Sequence, residues 1–428
     1  MARPTQPSPD AAATSTSLIK LDTEIPTRSD PLALASSSTK AGLSGSNHFR
    51  GEYDDFVDHN TCSAIGAAPL SDAVIGLREW GAGRVFSLRA PQYPKEAATE
   101  DISALQLTRG ELTATADRME IVFEGPSWRI KDWSGLANLK QDGRPTREVS
   151  LMPGTEVTIA GRTFVAESPR SIALRNFCSR LLGWSDDRIV VIDHALRSIR
   201  LASAGRAPLV LTGSGDLVPV AHAIHRYSLG ERVPFVVSDP RRRDTLATVR
   251  SPANYASCVE ALRKAYGGTL CVRAGRLPRD FGEGLAAFRE PENSAQLMIC
   301  SRRTSLPNAA QIDIPSLESR HSDLPRIVSE YIEDATHALR APDDCLNAQD
   351  IKWILDHSAF GAELTLSDIE KAALRGVALK LTGDLSRAAS LLGMARISLE
   401  RWIGRRSRHS PESVGGAAKA LDNFRGLR

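Results

Sequence analysis

The sequence lacks a long apolar run, and nothing in its 428 residues approaches the ~20 needed to cross a bilayer. Its N-terminus, MARPTQPSPDAAATSTS, has no basic stretch followed by an apolar core, so it does not read as a secretory signal. Both absences point to the cytoplasm and exclude a membrane partner. Cysteine is scarce and scattered: Cys62, Cys178, Cys258, Cys271, Cys300 and Cys345 stand singly, without a C-x-x-C pair or a His/Cys cluster. That spacing argues against a zinc site or a disulfide framework and for reduced, mostly buried thiols with no structural metal. A large excess of charge is also missing. A net charge of +3 is too small to mark the whole chain as a nucleic-acid binder, so the placement of the basic residues matters more than their sum.

What is present is an ordinary globular balance, 42% apolar and 25% charged, in a chain long enough for roughly three domains. Residues 1–65 are rich in Ser, Thr, Ala, Pro and Gly without periodicity. Such a segment buries too little apolar area to offset its ordering entropy and is expected to be a disordered tail. Over 70–168 short β-type runs (Arg84-Val-Phe-Ser-Leu, Met119-Glu-Ile-Val-Phe, Trp128-Arg-Ile-Lys-Asp, Glu156-Val-Thr-Ile-Ala) alternate with Asp-Gly, Pro-Gly and Ala-Gly turns, which predicts an all-β sandwich. Over 170–340 apolar runs alternate with helical stretches: Pro208-Leu-Val-Leu-Thr, a helix from Leu217 to Arg226, Pro234-Phe-Val-Val, Thr269-Leu-Cys-Val and Gln296-Leu-Met-Ile-Cys. Alternation of that kind predicts a parallel α/β sheet. Residues 341–362 read as a helical connector, 363–406 as all helix, and 407–428 as a basic tail.

Within 363–406, Leu366, Ile369, Ala373, Val377 and Leu381 recur at helical spacing. Thr382-Gly383 suits a left-handed cap, Asp384 or Ser386 can cap a second helix over 386–392, and Gly393-Met394-Ala395 turns the chain into a third from Arg396 to Ile403. A short helix, a Gly-containing turn and a second helix form the helix-turn-helix pattern. On the last helix Leu399, Trp402 and Ile403 share one side, while Ser398, Arg401 and Arg405 share the other, where they can meet phosphates or base edges. Arg405, Arg406 and Arg408 are expected to add an electrostatic footing on the backbone of DNA.

The stretch LTLSDIEKAALRGVALKLTGDLSRAASLLGMARISLERWIGRR resembles the Fis-type DNA-binding domain, with Ala388, Ala389, Leu392, Gly393 and Leu399 matching and Asp384 in place of the usual Asn. The resemblance implies DNA-facing roles for Ser386, Arg387, Arg396, Ser398 and Arg401, and a homo-oligomer, at least a dimer, on a two-fold DNA site. The block PLVLTGSGDLVPVAHAIHRYS, then PFVVSD, GGTLCVRAGRLP, QLMICSRRTSL and IDIPSLESRHSDLPRIVSEYI, resembles in order the AAA+ domain of sigma-54-dependent activators. That family implies RNA polymerase or sigma-54 as further partners and ATP with Mg²⁺ as cofactors.

Its chemistry is where this chain departs. The phosphate loop reads Gly213, Ser214, Gly215, Asp216, Leu217, with Leu217 at the expected Lys and Pro219 at the helix start. The acidic pair that would hold Mg²⁺ is replaced by Cys271-Val272-Arg273-Ala274, and 234–267 is too short for the sigma-contacting loop. These losses predict a degenerate loop, no cofactor and no ATP hydrolysis. Arg241, Arg242, Arg243, Arg302 and Arg303 read as a solvated basic surface that could attract an acidic partner.

Finally, WRIKDWSGLANLKQDGRPTREVSLMPGTEVTIAGRTF resembles a forkhead-associated (FHA) domain, with Asp132, Gly143, Gly154 and Gly161 in register. The resemblance implies phosphoprotein binding through Arg89, Thr108 and Arg109, although Ala137, Gly135 and Glu111 stand where the family has Asn, Ser and His. Together these give a multidomain chain: an FHA-like all-β sandwich, an AAA+-like α/β domain and an all-α helix-turn-helix. Three readings stay open: a DNA-binding regulator whose α/β domain is an assembly or docking scaffold, an ATP-dependent sigma-54 activator with a divergent site, and an FHA-based interaction protein of a larger assembly.

Overall fold

Alternation of apolar and polar residues between 72 and 167 makes short antiparallel strands: β1 (Gly76–Glu79), β2 (Val85–Ser87), β3 (Thr99–Asp101), β4 (Met119–Glu124), β5 (Ser127–Asp132), β6 (Leu139–Gln141), β7 (Arg144–Pro145), β8 (Glu148–Leu151), β9 (Glu156–Ile159) and β10 (Arg162–Glu167). In this computed structural model the described residues are 72–88, 99–101, 119–124, 127–132, 139–247, 251–302, 309–358 and 364–407. The segment 1–65 and the tail beyond Ser407 lie outside them. Two sheets form, in the orders β2-β1-β10-β9-β6-β7 and β3-β4-β5-β8. Inward residues of one (Leu77, Leu139, Val157, Phe164) meet those of the other (Ile121, Trp128, Ile130, Leu151) in a single core, as a sandwich requires.

Ser168 ends the sandwich and begins a helix, since its hydroxyl accepts the Ser171 amide while the Ser171 hydroxyl accepts the Ser168 amide, a reciprocal cap. Helices α1 (Pro169–Leu182) and α2 (Ile189–Ala204) follow. The sandwich is fastened to α2 by buried charge. Arg78 on β1 lies between Glu167 at 2.7 Å and Asp193 at 2.6 Å, and Asp193 also accepts the Gly81 amide at 2.8 Å.

A parallel sheet follows, of β11 (Leu209–Thr212), β12 (Phe235–Ser238), β13 (Ala253–Tyr255), β14 (Thr269–Arg273), β15 (Gln296–Ser301) and β16 (Ala310–Asp313), in the order β13-β12-β14-β15-β11-β16, with apolar runs in its buried central strands. Successive side chains go to opposite faces. Leu209, Leu211, Val237 and Cys271 join one core with α1, α2 and α3 (Val218–Ser228); Val210, Val236, Leu270 and Val272 join the other with α4 (Cys258–Lys264) and α5 (Phe281–Phe288). That two-sided burial is why the four central strands carry no polar alternation, while the edge strands β13 and β16 mix polar and apolar residues.

The C-terminal helices are α6 (Leu324–Leu339), α7 (Ala348–Ser358), α8 (Leu366–Thr382), α9 (Leu385–Leu391) and α10 (Arg396–Ser407). Gly383 adopts the left-handed cap (φ 62°) that ends α8, and the Asp384 carboxylate caps α9 by accepting the Arg387 amide at 2.8 Å. The apolar cluster of the sheet's first face continues without a break through Ile327, Val328, Tyr331, Ile354, Ile369, Ala373, Val377, Leu399 and Trp402. Gly376 permits this, because a Cβ there would lie 2.7 Å from Ile354 of α7. Leu381, expected on the apolar stripe, is 40% exposed, whereas Leu379 in the same turn is buried.

Candidate functional site

Three loops gather at the carboxyl ends of the parallel strands, where open α/β sheets place their ligands. After β11 comes the Gly213–Leu217 loop, after β12 the turn beginning at Asp239, and after β14 Arg273 to Arg276. Arg273 bridges the first two. Its guanidinium gives Asp216 hydrogen bonds of 2.9 and 3.1 Å and Asp239 one of 3.0 Å. Burial pushes the Asp216 carboxyl up, but the charge and hydrogen bonds of Arg273 outweigh it and hold the group below its ordinary value. Asp216 thus turns its charge to Arg273, one cation that lies between two carboxylates.

The rest of the loop is closed by the chain itself. Gly215 has φ 78°, and a Cβ built on it would lie 2.7 to 2.8 Å from three side-chain atoms of Thr365. Thr365 is the N-cap of α8, its hydroxyl accepting the Asp368 amide. Leu217 is buried, and the position just beyond Gly213 is occupied by Ile314, 3.1 Å from where a Cβ would stand. The first turn of the C-terminal helical array thus rests on the loop.

The turn after β12 is held with unusual firmness. Asp239 is 0% exposed and its Oδ2 receives Arg273 at 3.0 Å, Arg276 at 3.4 Å and Arg242 at 3.8 Å. The Asn254 amide donates to the carbonyls of Asp239, Arg242 and Arg243, and its oxygen accepts the Asp239 amide. Thr245 and Asn254 exchange two backbone hydrogen bonds of 2.9 Å. On this backbone Arg241, Arg242 and Arg243 are exposed. Arg302 is also exposed, and Arg303 lies outside the described residues.

A second region of exposed charge lies on α9 and α10. Leu399, Trp402 and Ile403 are buried against α7 and α8, each contributing roughly 1.5–3 kcal/mol that fixes the rotation of α10. Ser386, Arg387, Arg396, Ser398, Arg401 and Arg405 are all exposed. Between the two helices Gly393 turns with φ 59°. Arg406 departs from the sequence expectation: it is buried, stacks over the Trp402 ring at 4.6 Å and pairs with Asp368 at 2.9 Å, because its position falls on the Trp402 side of the helix. Arg408 is outside the described residues. Two exposed neighbours were not picked out from the sequence, Glu400 and Ile397; a β-branched apolar side chain 55% exposed within a polar face is visible only once the face is known.

Arg89, Thr108, Arg109, Glu111, Gly135 and Ala137 lie outside the described residues, so the phosphopeptide expectation concerns positions without a description. Among the described residues no His, Cys, Asp and Glu group is arranged to hold a metal ion, and no helix is long and apolar enough to cross a membrane.

No family model and no curated protein sequence matches the chain. Solved structures similar to it include NtrX from Brucella abortus in complex with ATP, at 12% identity over 51% of this chain and 75% of that chain, with a TM-score of 0.30. An FHA domain solved in an analysis of phosphothreonine-dependent FHA interactions is 15% identical over 22% of this chain and 96% of its own, with a TM-score of 0.18. A DNA polymerase III gamma subunit-related protein from Thermotoga maritima is 12% identical over 54% and 92%, with a TM-score of 0.23. TM-scores this low do not establish a common fold for the whole chain.

Proposed function

We propose that the protein is a sequence-specific DNA-binding transcriptional regulator resembling sigma-54-dependent activators, with an α/β domain that acts as an assembly or docking scaffold and hydrolyses no ATP. The observation that carries this reading is the two-sidedness of α10. Its apolar face is locked by Trp402, Leu399 and Ile403, while Arg396, Ser398, Arg401 and Arg405 stand in solvent beside Ser386 and Arg387. Locked rotation lets a helix present the same few side chains to a major groove each time, with Arg suited to guanine edges and to phosphates and Ser to either.

The scaffold half of the reading rests on the strand-end loops. A nucleotide polyphosphate with Mg²⁺ needs open glycine amides, a Lys and a free carboxylate. The residues present do not fit that group: Thr365 fills the space over Gly215, Leu217 is buried, and Asp216 and Asp239 are both spent on Arg273. Sigma-54 or RNA polymerase, a phosphoprotein and a second copy of the chain remain partners implied by the sequence resemblances.

The test uses the full chain. Arg396→Ala with Arg401→Ala is expected to weaken binding to genomic DNA fragments by tenfold or more, about 1.4 kcal/mol, in fluorescence anisotropy. Unchanged affinity would remove the DNA reading. In parallel, a labelled ATP analogue with Mg²⁺ is expected not to bind; saturable, Mg²⁺-dependent binding would return the ATP-driven activator.

A further inference from the structure

The Asp239 turn exceeds what stability asks of it. One buried carboxylate gathers three guanidinium groups within 3.0 to 3.8 Å, and among the described residues only Arg273 of the three has a second carboxylate, Asp216. The Arg242 and Arg276 side chains remain 49% and 41% exposed, and Arg241 and Arg243 flank them in solvent. Nearby acids are turned to other work. Asp216 faces Arg273, Asp239 is enclosed, and Asp244 accepts the Ala256 amide at 2.7 Å. The guanidinium charge is thus left in excess at the surface.

Two features fit this surface to an extended anion. The backbone that carries the arginines is already ordered by Asn254 and Thr245, so a ligand would meet pre-positioned donors and lose less entropy in ordering them. The guanidinium fork also matches the oxygens of a phosphate, to which it can give two parallel hydrogen bonds.

A short path of contacts connects the Asp239 turn with the buried side of α10. Arg273 holds Asp216; the adjoining Gly215 supports Thr365; three residues on, Asp368 holds Arg406 near the end of α10. That path passes through a single turn of α8, about 5.4 Å of helix. Ten base pairs of duplex span about 34 Å, so DNA seated on the exposed face of α10 extends beyond that helix, whose twelve residues rise about 18 Å.

We infer that the Arg241–Arg243 turn, with Arg276 beside it, is a second phosphate-binding surface that grips duplex DNA outside the stretch read by α10. This rests on the DNA-binding reading and extends it to a second contact with a different role, affinity without sequence preference. The chemistry is that of backbone phosphates displacing counterions, so its signature is dependence on salt.

The experiment measures anisotropy of the full chain on random-sequence 60-base-pair duplexes over a range of salt concentrations. The test variant is Arg241→Ala with Arg243→Ala, which spares the three arginines on Asp239, and thermal melting checks that its fold is kept. A control, Arg144→Ala with Arg147→Ala, removes the same charge from exposed positions of the sandwich. The expected result is a loss of about tenfold in affinity and a log–log salt slope shallower by about 1.8, for two phosphates at about 0.9 each, in the test variant alone. Equal behaviour of test and control variants would overturn the inference while wild-type binding, sensitive to Arg396→Ala with Arg401→Ala, left the DNA reading standing. Absence of wild-type DNA binding would overturn both. With labelled polyglutamate as a second probe, loss of its binding in the test variant while DNA binding stays as in wild type would overturn the DNA assignment and make the Arg241–Arg243 turn a site for an acidic protein.

Discussion

At the scale of single residues, the joint between α8 and the sheet is governed by Glu370. Burial pushes its carboxyl up, Asp334 on α6 and Asp216 in the loop add to the rise, Lys371 and Arg180 oppose it, and the net value is about 7. The folded value lies above the ordinary 4.5, so the folded chain retains a proton that the unfolded chain releases. Stability from this group is therefore greatest below about pH 4.5 and is lost as pH rises through about 7. Glu370→Gln is expected to remove that slope and to raise the melting temperature relative to wild type at about pH 8. Melting curves at stepped pH check it, and a parallel slope in the variant would acquit Glu370. Asp384 and Arg406 show how a residue's role depends on its position on a helix. Asp384, unusual for the family it resembles, serves as the cap of α9, and Arg406 turns inward although its neighbour Arg405 is exposed.

At the scale of elements, the loop after β11 has become a seat for α8. Gly215 is required twice over, by its positive φ and by the closeness of Thr365. Gly215→Val is expected to cost about 1–3 kcal/mol through overpacking and to speed hydrogen exchange of amides 366–370, which lose their footing. Exchange confined to the loop, with the start of α8 as protected as in wild type, would show that Thr365 is not held there. The same contact explains why α8 serves two structures at once. Its buried face carries Ile369, Ala373 and Val377 into the core of the sheet, and its end delivers α9 and α10.

At the scale of the whole molecule, sandwich and sheet are joined by charge rather than by apolar area alone. Arg78 is enclosed by Glu167 from its own sandwich and Asp193 from α2, and Glu156 meets Arg197 and Arg200 of the same helix. Removing one partner of a buried set leaves charge uncompensated, so Asp193→Ala is expected to cost about 3–5 kcal/mol. Calorimetry should then resolve two transitions where wild type gives one; a single transition shifted by less than about 1 kcal/mol would mean the joint lies elsewhere.

Elements whose cause is local are legible in the residue order. The strands at 119–123, 128–132, 209–212 and 269–272 follow from period and apolar runs, and α8, α9 and the start of α10 from spacing, capping and the turn at Gly393. The residue order also identified the exposed face of α10, which is written in residue type. Only the tertiary structure decided what distant residues do to each other: Thr365 over Gly215, Arg273 between Asp216 and Asp239, Arg406 on Asp368, and one apolar cluster shared by the sheet and the C-terminal helices. The physical reason is range. Dihedral preference and hydrophobic period act within a few residues, whereas ion pairs and close packing join positions scores of residues apart, whose meeting no local pattern encodes.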